Sequence, residues 1–523
     1  MPSKTAATGV YFVILLTALA ALFAPSFDKP PRSDYWVAFY HFHLVAASPG
    51  PPTWLSLCNY DPWQHGTFRP VAHLILYLQF RLFSHWFVVN SLTNFAMYFF
   101  SIVLLFLLAR QFNLNPVLTA ALLAVYAFLY SHFDIVTWTF QIFSTSSFCA
   151  FLLGFILCVK FVRTGRGLLL PPTALLFLFA MLCSEAYAFW PLSFLILVLG
   201  NRHLFPGPVA DRKRLLKLSV ITLAALYLAY AAIFIATRAA VNATGPLPRP
   251  TTGQVATAYG GVFQVAMAFS GVFFNLIYNG ILVNLLPFVT EPTVIKDNID
   301  MGGLLIRWYT PLPMIITLSG MLTFLILGAM GLGLYLKKQF RVLLTLVFLF
   351  FLYFSDLFVV TFARLTTNEP RYVFSQFRYQ YIPNALMVLM LSTVLGAIFK
   401  PGKRTLLIIF LILLPILTVN IYYSHKYIAI INRQLLPLGK VLGNIRRYIQ
   451  DGLINVDNPL LIDRRITRAL PDLCWNEDME RFMKGTYQWF FPPEWMPYFT
   501  SSASKATWVI HPGNLDNIYK LKR

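Results

Sequence analysis

Several small groups of ionisable residues interrupt a chain that is otherwise strongly apolar. The first is Ser33-Asp34-Tyr35-Trp36, shortly after the first long apolar run. A carboxylate followed by aromatic rings is suited to act as a general base that removes a proton from a hydroxyl group inside a cleft. Ser and Asp are equally good helix N-caps, because their side chains accept hydrogen bonds from the first free amides of a helix. Asp34 is therefore either a candidate base or a cap.

Two further groups place a cation and an acid beside apolar runs. Arg69 stands directly before Pro70, which holds the arginine backbone extended and presents its guanidinium for a phosphate or for an ion pair with Asp61. Glu185 lies in a turn between two apolar runs. A carboxylate in such a place is expected to be neutral or to have a cationic partner. A packing hydrogen bond between helices is the alternative role for Glu185.

The composition predicts the kind of molecule that positions these groups. Hydrophobic residues make up 58% of the 523 residues and charged residues only 12%, roughly half the share of about 25% in soluble proteins. The 49 Phe, 26 Tyr and 11 Trp suit lipid-facing surfaces and interfacial belts. These values exclude a soluble enzyme and a disordered scaffold. We predict an all-α, multi-pass membrane protein that binds membrane lipids.

Apolar runs predict about 11 transmembrane helices, since a span needs roughly 20 apolar residues. Their predicted starts are Gly9, Trp86, Pro116, Phe143, Leu168, Tyr187, Leu218, Pro313, Val342, Tyr381 and Leu406. The first run resembles a secretory signal, but Pro25 would follow the cleavage site, which disfavours cleavage. We therefore expect it to remain as an anchor.

The net charge of +21 follows a pattern that predicts orientation rather than a nucleic-acid partner. Lys and Arg concentrate in alternate short loops, at Arg110, at Lys160 to Arg166, at Arg202 to Lys217, at Lys337 to Arg341 and at Lys400 to Arg404. The opposite short loops, near residues 132–139 and at residue 185, have none. The predicted location is a plasma membrane, as in the inner membrane of a bacterium. We expect the amino end to be cytoplasmic and the carboxyl end extracytoplasmic.

This orientation divides the chain into two predicted parts. Residues 1–423 form a transmembrane module, and residues 424–523 form a small extracytoplasmic tail domain of sufficient size to fold. Large outer segments are expected at 27–85, 238–312 and 362–381.

The cysteines separate into two classes. Cys149, Cys158 and Cys183 fall in apolar runs and are expected to be packing residues. Cys58 and Cys474 fall on the predicted oxidising side of the membrane. They could form a disulfide there or remain two free thiols, and the sequence does not decide between these alternatives.

A fourth group lies on the predicted outer side and contains several arginines. It consists of Arg364, Glu369, Arg371 and the run Arg378-Tyr379-Gln380-Tyr381-Ile382-Pro383, which opens a span. Lys and Arg usually concentrate in cytoplasmic loops, so arginines on the outer side are contrary to that rule. They need an anionic partner, which a lipid-linked phosphate would supply.

The sequence lacks the motifs that several other chemistries require. The sequence has no GxxxxGK[ST] loop, no GxGxxG turn and no Asp-x-Asp. We therefore exclude an ATP-driven pump and a nucleotide-sugar enzyme. His41 and His43 would face opposite sides of a helix, so they do not indicate a metal site. We predict that the protein uses no metal and no cofactor.

The order of these groups resembles the GT-C superfamily of polyprenyl-phosphate-sugar-dependent glycosyltransferases, especially its protein O-mannosyltransferase-like branch. The matching elements are Phe68-Arg69-Pro70 with Leu74, His132-Phe-Asp134-Ile-Val-Thr137, Ser184-Glu185, and Arg378 to Pro383. This chain has Ser33-Asp34 where many relatives have paired acids, and Ser184 where they have Lys. No tetratricopeptide repeats follow in the tail.

The resemblance implies a sugar donor on polyprenyl phosphate and a glycan, lipid or protein acceptor. It implies that Asp34 is the general base, that Arg69 or Arg378 binds the donor phosphate, and that transfer inverts the anomeric carbon. The residues that position the acceptor or an arginine would be Asp134, Glu185, Tyr379 and Tyr381.

Alternative functions remain open on the sequence alone. A flippase or transporter of a lipid-linked glycan would favour inverted repeats and helices broken at mid-membrane, which the sequence does not indicate. An O-antigen-ligase-like transferase places its large loop late in the chain, whereas the long loop here follows the first span. A non-enzymatic assembly partner could use the basic tail to bind anionic lipid or glycan.

Overall fold

The computed structural model describes residues 4–31, 68–83, 86–205, 211–242, 313–365, 377–399, 403–461, 493–511 and 514–521, with scattered positions between 35 and 45 and between 261 and 300, and residue 491. These residues are mostly helical. The α-helices are α1 (Lys4–Phe23), α2 (Pro70–Phe83), α3 (Phe87–Gln111), α4 (Pro116–Ala127), α5 (Phe133–Thr137), α6 (Ile142–Thr164), α7 (Leu170–Cys183), α8 (Ser193–Leu199), α9 (Asn201–Leu204), α10 (Arg212–Asn242), α11 (Pro313–Leu336), α12 (Phe340–Leu365), α13 (Tyr381–Ile398) and α14 (Lys403–Gln450).

Short 3₁₀ turns and strands complete the described elements. The 3₁₀ turns are Ala24–Ser26, Tyr130–His132, Thr139–Gln141, Gly167–Leu169, Glu185–Tyr187, Trp190–Leu192, Phe377–Gln380 and Pro493–Tyr498. The strands are β1 (Thr293–Ile295), β2 (Asn298–Asp300), β3 (Leu460–Leu461), β4 (Phe499–Thr500), β5 (Trp508–His511) and β6 (Asn514–Lys520).

The predicted class of multi-pass helical membrane protein is confirmed. Within the described residues, seven helices are long and apolar enough to cross a membrane. They cover Ala6–Ser26, Phe87–Gln111, Thr139–Thr164, Arg212–Thr237, Phe340–Phe362, Tyr381–Ile398 and Leu406–Gln450. An eighth span exists if the bent pair Pro116–Ala127 and Tyr130–Thr137 is counted as one.

The predicted number of 11 spans is wrong for the part of the chain described. The run from Pro116 bends by 59° after Ala127. Helix α7 ends where Ser184 becomes extended, at φ −157°, and its length of about 21 Å is less than the roughly 30 Å of a bilayer core. The next run breaks into 3₁₀ turns and the short α8. The run from Pro313 forms α11, which is not among the seven.

The centre of the bundle is packed with aromatic rings between α6 and α7. Phe151 lies 5.0 Å from Phe177 and 5.2 Å from Trp190, measured between ring centroids. A Cβ atom at Gly154 would come within 2.5 Å of the Phe177 ring. The absence of a side chain at Gly154 therefore lets α6 and α7 approach closely, as small residues do in membrane bundles. The predicted packing role of Cys149, Cys158 and Cys183 is confirmed, since all three are buried.

One end of the bundle gathers arginines from the basic loops. Arg163 donates to the Gln111 carbonyl and Arg341 to the Phe112 carbonyl, at the carboxyl end of α3. The Arg163 guanidinium also lies 4.9 Å from the Phe205 ring centroid. Cationic side chains suit the unpaired carbonyls at a helix carboxyl end. This end of the bundle holds the loops that are predicted to be cytoplasmic.

The carboxyl-terminal region adds a small sheet to the end of a long helix. Helix α14 runs continuously through Ser424, where the tail was expected to begin. The sheet order is β4-β3-β5-β6, with β3 parallel to both neighbours and β5 antiparallel to β6. Asn444 of α14 donates to the Asp516 carbonyl at 2.7 Å. The Trp508 indole donates to the Leu453 carbonyl at 2.8 Å, so the sheet is anchored to the helix end.

Candidate functional site

Two of the sequence groups meet in a single ion pair. The Arg69 Nε atom lies 2.8 Å from Oε2 of Glu185, although the residues are 116 positions apart. The Phe68 amide donates to the other carboxylate oxygen at 2.5 Å. The side chains of Arg69 and Glu185 are 30% and 29% exposed. The partner of Arg69 is thus Glu185, while the expected alternative partner, Asp61, lies outside the described residues.

Local sequence explains how each partner is held. Pro70 takes the first position of α2 and needs no hydrogen-bond acceptor there, so Arg69 projects from the helix start. On the other side, Ser184 adopts an extended backbone and its side chain accepts from the Ala186 amide. This cap opens the Glu185–Tyr187 turn, with Glu185 at its first position. Two helix-start signals therefore position the two charges.

Aromatic rings line the ion pair. The Arg69 guanidinium lies 5.9 Å from the centroid of Phe143, near the start of α6. Phe68 packs against Tyr230 and Phe234 of α10, with ring centroids 5.9 and 5.0 Å apart. Rings beside a guanidinium add cation–π attraction and limit its contact with water. The result is a partly open polar site against an apolar wall.

The ion pair determines the charge of Glu185, which lies outside the seven spans. Burial raises the pKa of the Glu185 carboxyl, but the charge and hydrogen bond of Arg69 and the amide of Phe68 lower it more, and the net pKa falls below its ordinary value. The carboxyl is therefore ionised at neutral pH. The expectation that Glu185 is neutral or has a cationic partner is met by the cation.

A second arrangement surrounds Asp134, which is buried in α5. The Asn94 amide of α3 donates to the Ile135 and Val136 carbonyls at 2.7 and 3.0 Å. Thr145 of α6 donates to the Asn94 side-chain oxygen at 3.2 Å. Two long helices thus hold the backbone just after Asp134, in the second helix of the bent pair.

Further amides hold the turn just before Asp134. The Asn420 side chain of α14 accepts from the Tyr130 amide at 3.0 Å. His132 is fully buried, with Nδ1 3.0 Å from the Tyr98 hydroxyl and Nε2 3.5 Å from the Asn384 amide. Because each buried polar group here has a partner, the turn has a defined position relative to α3, α13 and α14.

The predicted positioning residues Tyr379 and Tyr381 open α13 or stand just before it. Tyr381 is 1% exposed, and its hydroxyl lies 2.6 Å from the Ser101 hydroxyl. Its ring centroid is 5.4 Å from that of His132, so this group contacts the turn before Asp134. The Tyr381 hydroxyl faces the bundle core rather than an open cleft. Tyr379 is half-buried.

The structure does not fully describe two of the predicted site residues, Asp34 and Arg378. Asp34, the predicted base, lies outside the described residues, although the adjoining Tyr35 is 1% exposed in helical backbone. The backbone of Arg378 forms part of the Phe377–Gln380 turn, but its side chain also lies outside the described part. His43, Cys58 and Cys474 also lie outside the described residues. The role of Asp34 as a base or a helix cap and the role of Arg378 as a phosphate ligand therefore stay predictions.

Asp356 is a buried carboxyl that the sequence patterns above do not single out. It lies on α12 and is 2% exposed. A charged residue type inside an otherwise apolar run was the available signal. The buried amides of Asn94, Asn384 and Asn420 carry a similar but weaker signal, since Asn within a span is costly without a partner.

Metal ligation finds no support in the residues that the structure covers. No group of three or more His, Cys, Asp or Glu side chains there could hold an ion. The described side chains of Arg69 and Glu185 supply charge and hydrogen bonding at the site.

The Asn94 contacts lead to a stability prediction. Asn94→Ala leaves two buried carbonyls without donors, each costing about 1–3 kcal/mol, so we expect unfolding at a markedly lower temperature. Asn90→Ala is the matched control, because Asn90 is also buried on α3 and its side chain donates to the Phe83 carbonyl, away from the bend. Thermal unfolding in detergent measures both variants. Equal, small losses in the two variants would show that Asn94 does not hold the bend.

No model of a known protein family matches the chain, and no curated protein matches it in sequence.

Proposed function

We propose that the chain is an integral-membrane glycosyltransferase. It would move a sugar from polyprenyl phosphate to an acceptor hydroxyl on the extracytoplasmic face, with inversion of the anomeric carbon. The observation that carries the proposal is the Arg69–Glu185 pair, because it joins two elements of the GT-C-like pattern that are far apart in sequence. It supports the proposal without identifying the sugar.

The position of this pair in the bundle agrees with the proposal. Arg69 contacts Phe143 at the start of α6, whereas Arg163 lies near its end. About 20 residues of helix separate these levels by about 30 Å, the thickness of a bilayer core. The pair is thus at the end opposite the basic loops. A lipid phosphate on the outer leaflet would meet it at the membrane surface.

The proposed reaction assigns a role to each charged group. Asp34 takes the proton of the acceptor hydroxyl, whose oxygen then bonds to the anomeric carbon. The bond from that carbon to the phosphate oxygen breaks, and its electron pair leaves with polyprenyl phosphate. Arg69 or Arg378 stabilises the charge gained by the phosphate.

The remaining predicted residues would act by positioning. Glu185 holds Arg69 by its ion pair, which favours positioning of the arginine over contact with the acceptor. Asp134 lies in the fixed bend, and Tyr379 and Tyr381 stand where α13 begins. The acceptor would be a glycan, a lipid or a protein, and no nucleic acid takes part.

Binding of polyprenyl phosphate tests the proposal directly. The purified protein in lipid nanodiscs is titrated with polyprenyl phosphate, and the variants Arg69→Met and Arg81→Met are compared with it. Loss of a hydrogen bond to a charged group costs about 1.5–3 kcal/mol, so Arg69→Met should bind about 10–100-fold more weakly. Arg81 is the matched control, as an exposed arginine at the far end of the same helix. Equal binding by both variants would contradict a phosphate site at Arg69.

A further inference from the structure

The carboxyl group of Asp356 is isolated inside the membrane-spanning part of α12. It is 2% exposed, and its Oδ1 atom is buried without a hydrogen-bond partner among the described residues. The neighbouring Ser355 hydroxyl donates to the Phe351 and Leu352 carbonyls of its own helix, so it does not satisfy the acid. Asp356 lies about 24 Å along α12 from Phe340, at 1.5 Å per residue. That places it in the half of the span nearer Glu185.

Among the residues that the structure describes, the elements that pack most extensively against α12 bring no cation to this level. These are α8, α9, α11, α13 and the turns Glu185–Tyr187 and Trp190–Leu192. Helices α8, α11 and α13 contain no charged residue or histidine, and the turns contain only the acid Glu185. The basic residues of α9, Arg202 and His203, lie at the opposite end of the bundle.

The other described contacts of α12 near Asp356 involve aromatic rings and no cation. Phe354 and Phe358 of α12 contact Phe273 and Phe269, and residues 250–290 contain no charged side chain or histidine. On α12 itself, Arg341 lies about 22 Å towards the basic end. Arg364 lies about 12 Å in the other direction, and its side chain is outside the described part.

Among the described residues, two tyrosines interact electrostatically with Asp356. The carboxyl is within electrostatic range of Tyr187 and of Tyr353, one helical turn earlier. The Tyr187 hydroxyl accepts from Ser147 at 3.3 Å. A phenol can share a hydrogen bond with an acid but cannot neutralise a carboxylate. An ionised, unpaired carboxylate in such surroundings is very costly, whereas a carboxylic acid is not.

We propose that Asp356 is a proton-binding site, holding its carboxyl as a neutral acid behind the turn that carries Glu185. The ligand is the proton itself, and the inference does not rest on sugar transfer. One bundle then contains two acids in opposite states. Glu185 is ionised beside Arg69, and Asp356 is protonated beside Tyr187.

Infrared spectroscopy of the purified full-length protein at neutral pH tests this proposal. A protonated carboxyl has a C=O stretching band that ionised carboxylates lack. We expect this band in the wild type and its loss in Asp356→Asn, which keeps the shape of the neutral acid and should fold. Asp457→Asn is the matched control, because Asp457 is exposed to solvent, and the band should persist in this variant. A wild-type spectrum without the band, or one unchanged in Asp356→Asn, overturns the proposal.

A lipid-soluble carbodiimide supplies a second measurement that needs no variant. N,N′-Dicyclohexylcarbodiimide adds to a protonated carboxyl: the acid proton moves to a reagent nitrogen and the carboxyl oxygen bonds to the central carbon. The protein gains the mass of one whole reagent molecule, which peptide mass spectrometry locates. Modification at Asp356 supports the proposal. Modification confined to other acids overturns it.

Discussion

Replacement of Asp34 by Asn is expected to lower the rate of sugar transfer by about 10²–10⁴-fold, the usual contribution of a general base. The amide has the same shape but cannot take the proton of the acceptor hydroxyl. The rate is measured in membranes with equal amounts of each variant. Binding of polyprenyl phosphate should stay within a few-fold of the wild type, because the predicted phosphate ligands are unchanged.

A neighbouring carboxylate provides the control for this substitution. Asp28 also follows the first span, is largely exposed and pairs with Lys29 at 2.9 Å. Asp28→Asn should therefore leave transfer unchanged, since exposed ion pairs contribute little. If Asp34→Asn transfers sugar at the rate of Asp28→Asn, then Asp34 is a helix cap and not the base.

Replacement of Glu185 by Ala should weaken both the fold and the proposed reaction. It removes the partner of Arg69 and the acceptor of the Phe68 amide. We expect the free energy of unfolding to fall by about 1–3 kcal/mol, and transfer to fall because Arg69 loses its orientation. Adding Arg69→Met to Glu185→Ala should then cost little more, since the two residues act as a pair. Fully additive losses would contradict a positioning role for Glu185.

The same pair makes stability depend on pH in a defined direction. The pKa of Glu185 is lower in the folded protein than in the unfolded chain, where its ordinary value is about 4.3. The ionised side chain therefore contributes its full stabilisation at pH values above this ordinary pKa. The contribution is lost as the pH falls through the folded pKa. Unfolding temperatures of wild type and Glu185→Gln should therefore converge on acidification below that region. A constant difference between them at all pH values would show that the ion pair does not cause it.

The sequence predicted the members of the candidate site better than their partners. Arg69 and Glu185 are both recognisable by type and position, Arg69 before a proline and Glu185 in a turn between apolar runs. Which cation meets which acid depends on the packing of α2 against α6 and α7, and a single sequence does not encode that adjacency. The near neighbour Asp61 was therefore as reasonable a partner for Arg69 as the distant Glu185.

The number of spans shows a different limit. Apolar composition locates helices well, because every buried or lipid-facing run needs it, but it does not show whether a run continues unbroken. The bend after Ala127 and the extended Ser184 are local backbone changes within apolar sequence. Asp356 is a different case, since its charged residue type within an apolar run was a usable signal, although none of the groups predicted from the sequence includes it. Its isolation from cations became visible only once the elements around α12 were known.

Release of polyprenyl phosphate from a labelled donor tests the central claim most directly. Polyprenyl-phosphate sugar, labelled in the sugar, is reconstituted with the purified wild-type chain and an extract containing the natural acceptors. We predict that label leaves the lipid for an acceptor, with one polyprenyl phosphate freed per sugar moved, and that Asp34→Asn slows both changes by about 10²–10⁴-fold. Label that remains on the lipid with the wild-type chain, in an extract whose source membranes carry out the transfer, would contradict the account.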